Sequence, residues 1–255
     1  MRRFAYAMPL LAVPLAAAAC GGSKSSSSTS TAALSDDPVA AVNGAAAKTA
    51  QAGSEHLTIA GRVFAGGQTV TFTGSGDFDT KKHVGSLKAD FSAGGLNGSL
   101  EEVSSGTDAY VKSDLLSALI PGGKQWVKLN LAKTAQAQGV SLTSFLSQDP
   151  SQALTKLQGL RAVRKVGEAA DATHYRSTFA VAKPKGATKA GAGRYDVWIG
   201  KDGYVHTLKA TVKSGGTTST LTTNLSAFGE AVSVTVPKAA DTYDGTKGSI
   251  PGLGG

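Results

Sequence analysis

The chain has 255 residues, of which 41% are hydrophobic and only 17% charged, with a formal charge of +8 and one cysteine, Cys20. A lone cysteine excludes an internal disulfide and a dithiol redox centre. The basic balance admits nucleic acid as a partner, but Lys81, Lys82, Lys183, Lys185 and Lys189 sit in apparent turns without interleaved aromatics, so nucleic acid is not expected. Attraction to anionic headgroups and simple solubility both account for the charge.

Arg2 and Arg3 precede an apolar run from Phe4 to Ala19, the pattern of a charged n-region followed by a short h-region. Leu15-Ala16-Ala17-Ala18-Ala19-Cys20 then resembles the lipobox of bacterial lipoproteins, with Ala17 where lipoboxes usually carry Leu. The resemblance implies cleavage before Cys20 and acylation of its thiol. Losing residues 1–19 removes Arg2 and Arg3 and no acid, which lowers the formal charge from +8 to +6. Gly21 and Gly22 lead into Ser23–Thr31, a run of almost nothing but Ser and Thr. Such a stretch cannot bury apolar surface and reads as a flexible tether. The expected division is 1–19 signal peptide, 20–34 lipidated cysteine and tether, 35–244 folded domain, and 245–255 flexible tail. About 220 residues after the tether suffice for one domain with a sizeable core.

The first helix is announced by Ser35-Asp36-Asp37 as capping side chains and Pro38 in the first turn. Val39, Val42, Ala46 and Ala50 fall on one face, and Gly53 ends the segment. The period then changes to two. Leu57, Ile59 and Val63 alternate with polar residues, Gly66-Gly67 turns the chain, and Val70 and Phe72 alternate with threonines. Further strands are predicted near 83–91, 96–104, 107–112, 126–131, 161–167, 172–182, 194–199, 203–213, 217–226 and 230–236. Gly200-Lys201-Asp202-Gly203 and Gly215-Gly216 join two of the later pairs as hairpins. Two helical interruptions are predicted, a short one at 113–120 and a pair of short helices across 141–159, the second opened by Asp149-Pro150 and closed by Gly159. The fold class is therefore α+β: a large curved antiparallel sheet of about 11–12 strands, a half-barrel, with the helices covering its concave face.

Gly123-Lys124-Gln125-Trp126-Val127-Lys128-Leu129, Tyr195-Asp196-Val197-Trp198-Ile199 and Leu225-Ser226-Ala227-Phe228-Gly229 lead towards Val232-Ser233-Val234-Thr235-Val236-Pro237. With the lipobox and tether, these segments resemble the LppX/LprAFG lipoproteins of actinobacteria, over roughly residues 38–243. The resemblance implies a half-barrel similar to the LolA and LolB carriers, closed by helices around an apolar cavity that takes the acyl chains of envelope lipids or lipoglycans. The candidate cavity lining is Leu57, Ile59, Val63, Val70, Phe72, Leu87, Phe91, Leu96 and Leu100 from the sheet. Leu116, Leu119, Ile120, Phe145, Leu146, Leu154 and Leu157 form the expected lid. A packed interior reads the same residues equally well, and would make the chain an envelope interaction or sensor protein. The expected partners are acylated lipid or lipoglycan, the membrane through acylated Cys20, and a membrane transporter. The expected site is the outer surface of the cell membrane, and the protein is expected to be a monomer.

No catalytic spacing is present. There is no Gly-x-Ser-x-Gly elbow, no Ser-x-x-Lys and no His-Glu-x-x-His. His56, His83, His174 and His206 lie far apart in sequence, and Asp77 and Asp79 lack a calcium loop around them. Glu101 and Glu102 are adjacent, so on a strand they face opposite ways and cannot act as a carboxylate pair. Trp126 reads as core, and Trp198 as either core or pocket wall. The expectation is a non-enzyme with no cofactor and no metal.

Overall fold

The computed structural model describes residues 34–117, 120–130, 150–181 and 190–246. Helix α1, Pro38–Ala52, begins where Asp37 accepts a hydrogen bond from the Val39 amide (3.1 Å) and ends at Gly53, whose φ of +83° closes it in the left-handed region. Its face of Ala41, Val42, Ala45 and Ala46 is buried. Gly44, on the opposite exposed side, has open space around the position of a Cβ. Gly44→Ala should raise stability by about 0.5–1 kcal/mol through helix propensity alone; a shift in the urea midpoint at constant slope checks this.

The strands follow as β1 (Ser54–Ala65), β2 (Gln68–Asp79), β3 (Val84–Ala93), β4 (Leu96–Ser105), β5 (Asp108–Ser113), β6 (Trp126–Asn130), β7 (Val163–Glu168), β8 (Ala172–Val181), β9 (Gly191–Gly200), β10 (Val205–Ser214), β11 (Thr217–Ser226) and β12 (Thr242–Asp244). Between them lie a single helical turn, α2 (Asp114–Ser117), and the helix α3 (Pro150–Gln158). These strands make one open, curved sheet in the order β12-β6-β5-β4-β3-β2-β1-β11-β10-β9-β8-β7, antiparallel throughout except that β12 runs parallel to β6. The first strand thus lies in the middle, paired with the last long one.

One predicted strand is corrected. Residues 230–236 are not a strand; the chain from Glu230 to Lys238 is an extended strap with no ladder partner, and the final strand is the short β12. The strap leaves β11 through Ala227 (φ +51°) and Gly229 (φ +80°), and is held by Ser54 Oγ, which donates to the Glu230 carbonyl (2.6 Å). It must pass β1–β5 to reach β6, a lateral distance of about 29 Å at the usual strand spacing. A segment travelling across strands cannot pair with them. Val232 and Val234 are half-buried, so alternation survives without a ladder. The first helix predicted within 141–159 lies outside the described residues.

The face carrying Leu57 and Ile59 is inner, because α1 covers it. Val42, Ala46, Leu57, Ile59, Leu87, Leu154, Leu157, Tyr175, Val197, Ile199, Val205 and Leu225 pack there into one core. Thr49 fastens helix to sheet: its buried Oγ1 accepts from the Val205 amide (2.9 Å) and donates to the Ala45 carbonyl (2.8 Å). Two glycines on β2 allow a close approach of β3. A Cβ on Gly74 would stand 2.7 Å from the Lys88 carbonyl oxygen, and one on Gly76 would stand 2.1 Å from that of Ser86. Only glycine lets β3 close on β2 this tightly. Every element of this unit draws on residues 34–246, so it carries its own core.

Candidate functional site

Cross-strand register sorts the inner face into two halves. The half near the turns that end β2, β4 and β9 lies under α1 and α3. The other half runs to the hairpin tips at Gly66-Gly67, Gly94-Gly95 and Gly215-Gly216. Its inner row begins with Gly61, Phe72, Phe91 and Gly98 on neighbouring strands. Leu221, Ala210 and Tyr195 continue it across β11, β10 and β9. The next row outward holds Leu96, Ala93, Val70, Val63, Ser219, Val212, Gly193 and Phe179. None of the described helices packs its own residues into a core with this outer row.

Glycines set the height of the floor here. A Cβ on Gly61 would lie 1.9 Å from the Phe72 ring, one on Gly98 2.3 Å from Phe91, and one on Gly193 2.1 Å from Phe179. Each ring therefore lies flat over the glycine across from it instead of standing up from the sheet. Phe179 also stacks on Tyr195, with centroids 4.8 Å apart. Flat rings make a low apolar floor. The residue types suit contact with hydrocarbon, which needs apolar area and no directional bonds.

The residues proposed from sequence divide accordingly. Leu57, Ile59, Leu87 and Leu100 are buried on the inner face, and Val63, Phe72 and Phe91 are half-buried there. Val70 and Leu96 share that face but are exposed at the tips. Ile120 is buried, and Leu154 and Leu157 are buried in the α1 core. Cys20, Leu119, Phe145 and Leu146, and the side chain of Leu116, lie outside the described residues. The flat-ring pairs were missed. The signal was available, since two-residue loops at Gly66-Gly67 and Gly94-Gly95 fix the register that sets Gly61 opposite Phe72 and Phe91 opposite Gly98.

Two carboxylates interrupt the inner face. Glu102, 5% exposed, sits between Leu87 and Val111, and its Oε2 is buried without a hydrogen-bond partner among the described residues. Burial pushes its carboxyl up to about 8. Glu101 faces outward beside Lys112 (3.9 Å), as adjacency requires. Glu55 is buried one row further from the tips.

The outer face is polar and charged. Asp196, 2% exposed, takes His174 Nε2 (2.8 Å), Arg176 Nε (2.6 Å) and Arg194 Nε (2.8 Å). Burial alone would raise its pKa; the hydrogen bonds from Arg176 and His174 and the charges of Arg194 and Arg176 outweigh it and hold the carboxyl below its ordinary range. Trp198 stacks on His174 at 4.3 Å. Trp126 stands on the same outer face, half-buried under Lys112 (5.9 Å). Core for Trp126, and core or pocket wall for Trp198, are thus corrected: each side chain points outward, one residue out of step with its inward neighbours Val127 and Val197. His56 pairs with Asp77 and His206 with Asp202, each apart from the others. Among the described residues no group of three or more His, Cys, Asp or Glu is placed to hold a metal ion, and no helix is long and apolar enough to cross a membrane.

No protein-family model matches the sequence, and no curated protein does. Among solved structures the chain is similar to LprF from Mycobacterium bovis, at 13% identity and a TM-score of 0.48, over 80% of this chain and 98% of that one. A DUF1329 family protein from Desulfovibrio piger matches at 12% identity and a TM-score of 0.31, over 75% of this chain and 92% of the other.

Proposed function

We propose that this chain is an envelope lipoprotein that binds acylated lipid or lipoglycan on the tip half of its inner face and carries it within the cell envelope, without covalent chemistry. One observation carries the reading: the inner face stays apolar beyond the helices, floored by Phe72, Phe91 and Phe179 lying flat on glycines. Acyl chains laid there lose contact with water at about 0.8 kcal/mol per methylene. The donor membrane offers nearly the same, so exchange is close to isoenergetic and reversible, as a carrier requires. Acylated Cys20 and the tether would keep this face within reach of the bilayer.

Residues 34–255 expressed in a lipid-containing host should retain about one lipid per chain, read by native mass spectrometry and organic extraction. Phe72→Asp and Phe179→Asp should each lose it while keeping the strand-type circular dichroism of the parent. A parent chain that is bare as purified and stays bare after incubation with lipid would overturn the carrier reading. It would favour a packed interior and a protein partner, for which the α1 core beneath Leu154 and Leu157 already provides a filled half.

A further inference from the structure

Phe64, Val70 and Leu96 are 42%, 36% and 70% exposed, and all three stand at the tips of the adjacent β1–β2 and β3–β4 hairpins. Behind the β1–β2 tip and the neighbouring β10–β11 tip at Gly215-Gly216 the outer face is cationic, whereas behind the β3–β4 tip it carries Asp90. One continuous cross-strand row reads Arg62, Thr220, Thr211, Arg194 and Thr178, and the next reads Phe64, Thr218, Lys213, Ala192 and Ala180. Arg194 and Lys213, with Thr178 and Thr211, line a groove of about 440 Å³. Neither row contains an acid. The nearest along these strands, Asp196, is one position further back and is shared by Arg194 itself, Arg176 and His174. Lys209 and Arg176 extend the cationic side along that third row. The other side of the outer face differs. Its own groove, of about 510 Å³, is lined by Asp90 and Asp114 among Ser and Thr residues, and its lysines Lys112 and Lys128 have acidic partners in Glu101 and Asp108.

Apolar side chains at an exposed edge with cations set just behind them match the layering of an anionic bilayer surface, where acyl boundary lies beneath phosphate. We infer that the hairpin-tip rim docks onto an anionic membrane, with Phe64, Val70 and Leu96 entering the headgroup layer and Arg62, Arg194 and Lys213 taking lipid phosphates. The threonine hydroxyls beside Arg194 and Lys213 add donors for the phosphate oxygens. The rim borders the tip half of the inner face, so docking brings that face to the bilayer. The surface does not depend on the acyl-binding reading, since a packed interior leaves the rim unchanged.

The test is co-sedimentation of residues 34–255 with vesicles of phosphatidylcholine, or of equal parts phosphatidylcholine and phosphatidylglycerol. Binding is expected to the anionic vesicles only and to fall with salt. Arg194→Glu with Lys213→Glu should weaken it at least about tenfold. Lys88→Glu with Lys112→Glu, the same change in net charge on the other side of the outer face, should change it less than about twofold. Phe64→Ser with Leu96→Ser should also weaken it, with unchanged circular dichroism. Equal losses from the two charge-reversed pairs would reduce the effect to net charge and overturn the proposal. So would binding to soluble dextran sulfate without binding to anionic vesicles, which would assign the cations to an acidic polymer. Co-purified lipid retained by the Arg194→Glu, Lys213→Glu chain would separate docking from cargo binding.

Discussion

Glu102→Gln is expected to stabilise the fold by about 3 kcal/mol at pH 7 and by almost nothing at pH 4.5. The Glu102 carboxyl titrates near 4.5 when solvated and is pushed up to about 8 by burial between Leu87 and Val111. Between those values the folded chain holds a proton that the unfolded chain has released. Stability therefore falls as pH rises from about 4.5 to 8, and the loss is complete above 8. Gln has nearly the same shape and no charge, so the pH dependence due to this position disappears in the variant. Urea unfolding at pH 5, 7 and 8.5 measures the difference directly. Parallel curves for parent and variant across that range would show that the buried carboxylate is stabilised in the folded state after all.

Gly76→Ala should destabilise the domain by about 3 kcal/mol, a large effect for one methyl group. The added Cβ would meet the Ser86 carbonyl oxygen at 2.1 Å and the Leu87 Cα at 3.0 Å, both of them backbone. Neither can rotate away, so β2 and β3 would have to separate where Gly76 pairs with Leu87. Gly98→Ala is the matched comparison. There the obstacle is the Phe91 ring, which can swing off the floor, and about 1 kcal/mol is expected. Urea midpoints at constant slope decide between them. Equal costs would mean that the sheet can flatten at Gly76 without resistance.

The sheet was largely legible because its strands are joined by short glycine loops and bury one face. Leu57, Ile59, Phe72 and Leu87 alternate as a half-buried pleat requires, and α1 was framed by Asp37-Pro38 and Gly53. The misread segment, 230–236, shows what alternation reports. Val232 and Val234 are shielded on one side only, which gives period two with or without hydrogen bonds to a neighbour. β12 is three residues long and carries no pattern at all. Within the candidate site, the adjacency of Glu101 and Glu102 fixed only that the two face opposite ways, not that Glu102 is the inward one. That it meets Leu87 and Val111 depends on partners from two other strands. The tryptophans failed for the opposite reason: large aromatic rings suggest interior, yet Trp126 and Trp198 sit on the outward parity, where Lys112 and His174 cover them.

The placement of β1 beside β11 has a kinetic side. Hairpins β1–β2, β3–β4 and β9–β10 join residues a few positions apart and can zip soon after their strands are available. The seam that sets Leu57 against Leu225 instead closes a loop spanning most of the domain. Loop-closure entropy and high contact order make that step the slow one. For a chain that emerges N-terminus first, the two wings of the sheet can form as it emerges. The central seam has to wait until Ser226 has emerged, so the last stretch delivered completes the core that the first strand began.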